Sequence, residues 1–289
     1  MATCAFIGLG NMGYPMAGHL AAAGHDVRVF NRTAAKAERW TAEYPGVAAS
    51  TPAEASAGAD FVFTCVGNDD DVRSVVHGNE GALSALVAGA VLVDHTTASN
   101  RLAVELSEAA SAKGVGFVDA PISGGQVGAE NGTLSIMCGG TEEDFEAARP
   151  VMEAYGASIV RIGPAGSGQL TKMVNQILCA GAIQGAAEAL AFGQRAGLDM
   201  DKVLAAVTRG AAGSWYLSNR GQTMIEDRFD FGFAVDWMAK DLGLVREEGD
   251  RLGSDVPLTE LTADYLARSQ RAGDNRCDAT VIIRRYRET

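Results

Sequence analysis

Apolar positions along this chain follow two spacings up to about residue 160 and one afterwards. Short apolar runs at 3–8, 27–30, 61–66, 90–94 and 116–119 have the length and composition of buried strands, and 133–138 predicts one more. Stretches with helical spacing separate most of them, at 11–23, 34–42 and 100–113, with another at 142–155. Strands alternating with helices predict a mostly parallel sheet covered on both faces. Beyond about residue 165 strand signals nearly vanish, and 167–196, 200–209, 217–226, 233–252, 258–272 and 279–286 read as helices. The switch marks a domain boundary, and turn residues concentrate there in Gly163-Pro164-Ala165-Gly166-Ser167-Gly168. The expected fold class is therefore α/β, a doubly wound sheet domain over 1–163 followed by an all-α domain over 164–289.

One glycine cluster gives the first domain a chemical purpose. Gly8-Leu9-Gly10-Asn11-Met12-Gly13 has the G-x-G-x-x-G spacing, follows the strand Ala5-Phe6-Ile7 and opens the helix carrying Met16, Leu20 and Ala23. In that setting the pattern is the dinucleotide-binding turn of a Rossmann domain. Gly8 permits the tight turn, Gly10 lets backbone approach a pyrophosphate, and Gly13 allows helix and strand to pack closely. The helix start adds unpaired N–H groups and positive potential. The second strand ends Asn31-Arg32-Thr33, where an NAD site usually carries an acid for the ribose 2′-hydroxyl. A guanidinium there suits a 2′-phosphate, so NADP(H) is expected in preference to NAD(H). Val66, closing the third strand, joins this cofactor set.

Two further segments carry candidate chemistry. Asp119-Ala120-Pro121-Ile122-Ser123-Gly124-Gly125 follows a strand whose end faces the ligand crevice of an open sheet. The Ser123 hydroxyl and the uncovered amides of Gly124 and Gly125 suit a carboxylate. The second is the helix beginning Gly166-Ser167-Gly168-Gln169-Leu170-Thr171-Lys172. It is apolar on nearly all sides through Leu170, Met173, Val174, Ile177, Leu178, Ala180 and Ile183, which predicts burial all round. Lys172 and Asn175 share one face of it, with Gln176 adjacent. A buried ammonium needs something to offset its lost hydration, and a substrate anion or active-site water would do so.

Composition narrows the function classes. The formal net charge of -12 on 289 residues argues against nucleic acid and against an anionic membrane surface. The apolar stretch 173–187 is too short and too rich in Ala and Gly to be read as a membrane span. Five cysteines at wide spacing fit reduced thiols in the cytoplasm, and neither they nor the four histidines have ligand-like spacing, so no metal site is expected. Trp215, Tyr216 and Trp237 fit a substrate pocket, a subunit interface or plain core equally well.

Taken in order, the glycine turn, the D-A-P-x-S-G-G segment, the G-x-G-x-x-x-K segment and Lys240-Asp241-Leu242 give the whole chain a resemblance. It resembles the β-hydroxyacid dehydrogenase family, which includes 3-hydroxyisobutyrate dehydrogenase, tartronate semialdehyde reductase and the glyoxylate/succinic semialdehyde reductases. The resemblance implies hydride transfer between a nicotinamide and a small carboxylate-bearing hydroxyacid or semialdehyde. It implies that Lys172 is the catalytic acid/base, its pKa lowered by burial, and that Ser123, Gly124 and Gly125 hold the substrate carboxylate. Thr97 matches a threonine lining the cofactor and substrate cleft, and Phe233 and Lys240 match residues at the nicotinamide end. Many members have asparagine four residues after the lysine. Here that position is Gln176 and asparagine comes one residue earlier, so either Asn175 or Gln176 orients the substrate. Relatives are dimers or tetramers, so a homodimer or homotetramer is expected. Three rivals are a 6-phosphogluconate dehydrogenase, against which the lack of any histidine after His95 speaks, an imine reductase, against which Lys172 speaks, and a non-catalytic NADPH-binding sensor, which would bind NADPH without oxidising it.

Overall fold

A computed structural model describes residues 1–287 and divides the chain into two compact units, one from Met1 to Lys172 and the other from Met173 onward. The first unit is built on one sheet of nine strands: β1 (Thr3–Ile7), β2 (Asp26–Phe30), β3 (Val47–Ala48), β4 (Phe61–Thr64), β5 (Val91–Asp94), β6 (Gly116–Asp119), β7 (Ile122–Ser123), β8 (Leu134–Gly140) and β9 (Gly156–Gly163). The order β3-β2-β1-β4-β5-β6 is parallel throughout, with β1 between β2 and β4. Strand order reverses there, and a ligand crevice opens beyond the strand ends at such a point. This is the expected Rossmann-type sheet.

Alternate residues of each strand feed two different cores. Phe6, Val27, Val29, Phe63, Val93 and Val118 pack with Met16, Leu20 and Trp40 on one face. Ala5, Ile7, Val62, Leu92 and Phe117 pack with Leu102 and Leu106 on the other. Both faces being covered, the strands read as unbroken apolar runs rather than alternations.

The far side of the sheet departs from the sequence reading. β6 and β7 run in succession along β8 and antiparallel to it, Asp119 opposite Gly139 and Ser123 opposite Ser135. β9 pairs parallel with the other side of β8. β3 and β7 have two residues each, too few to show a period. β9 escapes notice because it is paired on one side only and half-exposed, with Val160 and Ile162 53% and 46% accessible.

The long helix Ser167–Arg195 starts in the first unit and continues into the second. Met200–Val207, Trp215–Ile225, Val235–Leu252 and Pro257–Arg271 follow, with a short 3-10 turn at Ala279–Ile282 and a last helix at Ile283–Arg287. Burial of the long helix on all sides does not hold. Met173, Ala180 and Ile183 are buried, whereas Val174 and Leu178 are 57% and 69% accessible. Among the described residues nothing buries that stripe, and apolar composition alone does not say which face is packed. Trp215 and Trp237 are also exposed, at 51% and 39%, so neither is core.

Candidate active site

The glycine turn has the geometry its spacing predicts. Gly8 sits at φ +102°, and a side chain there would collide with the carbonyl of Cys65 at the end of β4. Gly13 begins the helix Gly13–Ala22 so close to β1 that a Cβ would strike Gly8 O and stand 2.8 Å from Phe6 Cε1. A Cβ at Gly10 would meet nothing within 4 Å, leaving open ground above the turn for a pyrophosphate. Asn11 is exposed and Met12 half-buried at the helix start. The dinucleotide site therefore fits its residues. Leu9 takes a supporting part: it is 2% accessible, and its N–H donates to Asn31 Oδ1 at 2.9 Å. Asn31 Nδ2 in turn donates to Thr33 O at 3.1 Å, so one amide ties the glycine turn to the loop after β2. Arg32 projects beside it, 86% accessible at its side chain, and pairs with Asp71 at 3.0 Å.

At the ends of β4 and β5 a second set converges. Asp94 is buried and accepts from the Thr64 hydroxyl at 2.7 Å and from Thr96 N at 3.0 Å. Burial holds its carboxyl up at about 6, against those bonds. The Thr96 hydroxyl accepts from Val66 N at 3.0 Å. Gln169, wholly buried, donates to Thr96 O at 2.7 Å and accepts from Ala98 N at 3.0 Å. A single amide thus clamps both sides of Thr97 and fixes the backbone that presents it.

Lys172 is 7% accessible, and its ammonium donates to Ile122 O at 2.8 Å. The offset expected from a substrate anion or water is provided in part by the chain's own carbonyl. Ile122 immediately precedes Ser123, so the amine lies at the segment of Ser123, Gly124 and Gly125. Ser123 is half-buried and the two glycines are exposed, with Gly125 beginning the short helix Gly125–Glu130. Lys172, Thr97, Val66, Ser123 and the glycine turn all belong to the first unit.

The remaining candidates lie in the second unit. Gln176 is 4% accessible and donates to Asp241 Oδ2 at 2.7 Å, and Asn175 Nδ2 donates to Gln176 Oε1 at 2.7 Å. Lys240 pairs with Asp241 at 3.1 Å and lies 6.0 Å from the Trp237 ring centre. Phe233 N donates to Asp278 Oδ2 at 3.0 Å. Asp119 and Gln169 stand within the sequence motifs, but their spacing points to no role. Their signal lies in long-range hydrogen bonds, which no local spacing announces. Among the described residues no group of three or more potential ligands gathers for a metal, and no helix is long and apolar enough to cross a membrane.

Comparison with known proteins agrees with this arrangement. A family profile for the NAD binding domain of 6-phosphogluconate dehydrogenase matches residues 3–163, and one for NAD-binding of NADP-dependent 3-hydroxyisobutyrate dehydrogenase matches 166–286. A 3-hydroxyisobutyrate dehydrogenase of Pseudomonas aeruginosa is 35% identical over 92% of each chain. This chain belongs to the 3-hydroxyisobutyrate dehydrogenase family. As a member of that family it is an oxidoreductase with NAD(P)-binding domains. An uncharacterized oxidoreductase of Shewanella frigidimarina is 50% identical across 100% of this chain and 99% of its own. The structure of a Mycobacterium tuberculosis 3-hydroxyisobutyrate dehydrogenase with L-serine superposes with a TM-score of 0.87 at 32% identity, covering 99% of both chains.

Proposed function

We propose that this family member interconverts a small β-hydroxyacid and its semialdehyde with NADP(H) in preference to NAD(H), Lys172 serving as the acid/base. The observation that carries the reading is the 2.8 Å bond from the buried Lys172 amine to Ile122 O, one residue before the proposed carboxylate-holding segment. The dinucleotide, when bound, supplies or accepts the hydride. The chain's own residues do the rest. The Ser123 hydroxyl and the amides of Gly124 and Gly125 orient the substrate carboxylate. Lys172 gives its proton to the substrate oxygen during reduction, or takes the hydroxyl proton during oxidation. Gln176 is committed to Asp241, so Asn175, held by Gln176, is the amide proposed to meet the substrate.

The amides of Gly10, Asn11 and Met12 are proposed to hold the pyrophosphate and Arg32 with Thr33 the 2′-phosphate. Val66 and Thr97 would line the nicotinamide end, where family likeness adds Phe233 and Lys240. The exposed stripe of Val174 and Leu178 supports self-association as a homodimer or homotetramer. The five cysteines form no disulfide, which supports a cytoplasmic setting. L-serine, named with the M. tuberculosis relative, is itself a β-hydroxyacid and supports the substrate class.

NADPH oxidation is to be measured with glyoxylate, succinic semialdehyde, tartronate semialdehyde and methylmalonate semialdehyde, and the reverse reaction with 3-hydroxyisobutyrate and serine. Lys172→Ala should lower kcat on the best of these by about 100-fold or more, with cofactor affinity nearly unchanged. Retained turnover would remove the assignment.

A further inference from the structure

Asp119 is fully buried, yet neither the proposed carboxylate-holding segment nor the acid/base step uses it. Its Oδ1 accepts from Gly166 N at 2.7 Å and its Oδ2 from Gln169 N at 2.9 Å. Those amides belong to the turn that opens the long helix, where backbone donors have no partner within the helix. The cap comes from a residue 47 to 50 positions away along the chain rather than from the helix's own flank.

The consequence lies one turn further on. Lys172 follows Gln169 by three residues, and its amine returns to Ile122 O, three residues after Asp119. The two segments are therefore joined at both ends, amide to carboxylate at one and ammonium to carbonyl at the other. Between these joints a Cβ on Gly168 would stand 2.5 Å from Met137 O and 2.6 Å from Asp119 O, so the helix start lies flush on the strand ends. Antiparallel pairing with β8 holds Asp119 and Ser123 themselves.

We propose that Asp119 is a positioning residue for the reaction, holding the Lys172 amine at the Ser123 segment by anchoring the first turn of the helix that carries it. The proposal rests on the reading of Lys172 as the acid/base. Only a carboxylate offers acceptors on both oxygens to the two amides. An asparagine of equal shape would turn its NH2 toward one of them, losing a bond and setting donor against donor. Burial pushes the Asp119 carboxyl up to about 7, with the two amides acting in the opposite direction. The other titratable groups facing this region are Asp94 on β5, Cys138 on β8 and Lys172 on the helix.

The test compares Asp119→Asn, Lys172→Ala and the double variant of the full chain, using whichever compound of the panel above the wild type turns over fastest. Asp119→Asn should lower kcat by about 10-fold or more and leave the NADPH Kd within about 2-fold. In the Lys172→Ala background the same change should cost less than about 2-fold, because the group it positions is gone. A kcat near that of wild type would overturn the proposal. So would the same fractional loss in both backgrounds, the signature of a merely structural role. Should Asp119→Asn fail to fold, Gly168→Ala keeps the charge and displaces the helix start, and the same non-additivity with Lys172→Ala is expected. A Lys172→Ala kcat near that of wild type would instead refute the underlying acid/base reading, a distinct outcome.

Discussion

Asn31→Asp changes one atom where the glycine turn meets the loop after β2. The carboxylate keeps the bond from Leu9 N, made at 2.9 Å, and loses the bond to Thr33 O, made at 3.1 Å. It also places a negative charge one residue from Arg32, whose guanidinium already shares itself with Asp71 at 3.0 Å. The lost hydrogen bond is worth about 1 kcal/mol and loosens the loop for either cofactor alike. The charge discriminates between them. Between unit charges about 6 Å apart, repulsion runs from about 0.7 kcal/mol in bulk water to about 3 kcal/mol at an effective dielectric near 20. Arg32 is 86% accessible, so the solvated limit is the nearer one and a tenfold change, about 1.4 kcal/mol, is the expected size. NADH escapes this repulsion, since a carboxylate accepts a hydrogen bond from its ribose 2′-hydroxyl. Equilibrium titration of both cofactors by nicotinamide fluorescence should show Kd(NADPH)/Kd(NADH) rising about tenfold, and less at high salt. Asn31→Ala should weaken both by a similar factor. A ratio untouched by Asn31→Asp would refute the placement of the 2′-position at this loop.

Two further outcomes follow from burial. Gly13→Ala sets a methyl against Gly8 O and Phe6 Cε1, neither free to swing away, and overpacking of this kind costs about 1–3 kcal/mol. Thermal melts and NADPH titration should show lower stability and weaker cofactor binding together, and an unaltered melt would count against the close packing. His95 is buried between Ala120 O, at 2.7 Å from Nδ1, and the Tyr155 hydroxyl, at 2.9 Å from Nε2. A carbonyl only accepts, so Nδ1 carries the proton and the neutral ring's Nε2 accepts from Tyr155. Burial depresses its pKa from 6.5 to about 4, so its contribution is full above pH 6.5 and is lost as pH falls toward 4. The contribution is on the order of 3 kcal/mol. Asp94 and Asp119, raised to about 6 and about 7, act with the opposite sign, their contributions fading as pH rises through those values. The difference between wild type and His95→Asn therefore isolates the histidine. Urea midpoints from pH 4.5 to 7.5 should converge toward acid, and parallel curves would rule the assignment out.

What was legible in the chain is what depends on near neighbours. The turn Gly8–Gly13 is recognisable because its strand, its spacing and its helix are contiguous, and its chemistry follows from missing side chains. Sheet and helices separate because strands covered on both faces read as short unbroken apolar runs, whereas a helix repeats its packed face every 3.6 positions. Lys172 and Asn175 fall on one helical face by the same arithmetic. Where the pattern was thin it misled. β9 is half-exposed and paired on one side, and the apolar stripe of Val174 and Leu178 is exposed.

Tertiary structure alone decided where the polar groups of the site find partners. Lys172 could be marked as a buried cation, but that Ile122 O receives it is a contact across 50 residues. Asp119 looked like the last residue of a strand, yet its carboxylate organises a helix start nearly as far away, and Gln169 grips the backbone around Thr97 across more than 70. The physical reason is common to all three. A buried donor or acceptor must be satisfied, but the group that satisfies it is whichever one packing brings within about 3 Å, and only the folded chain determines that.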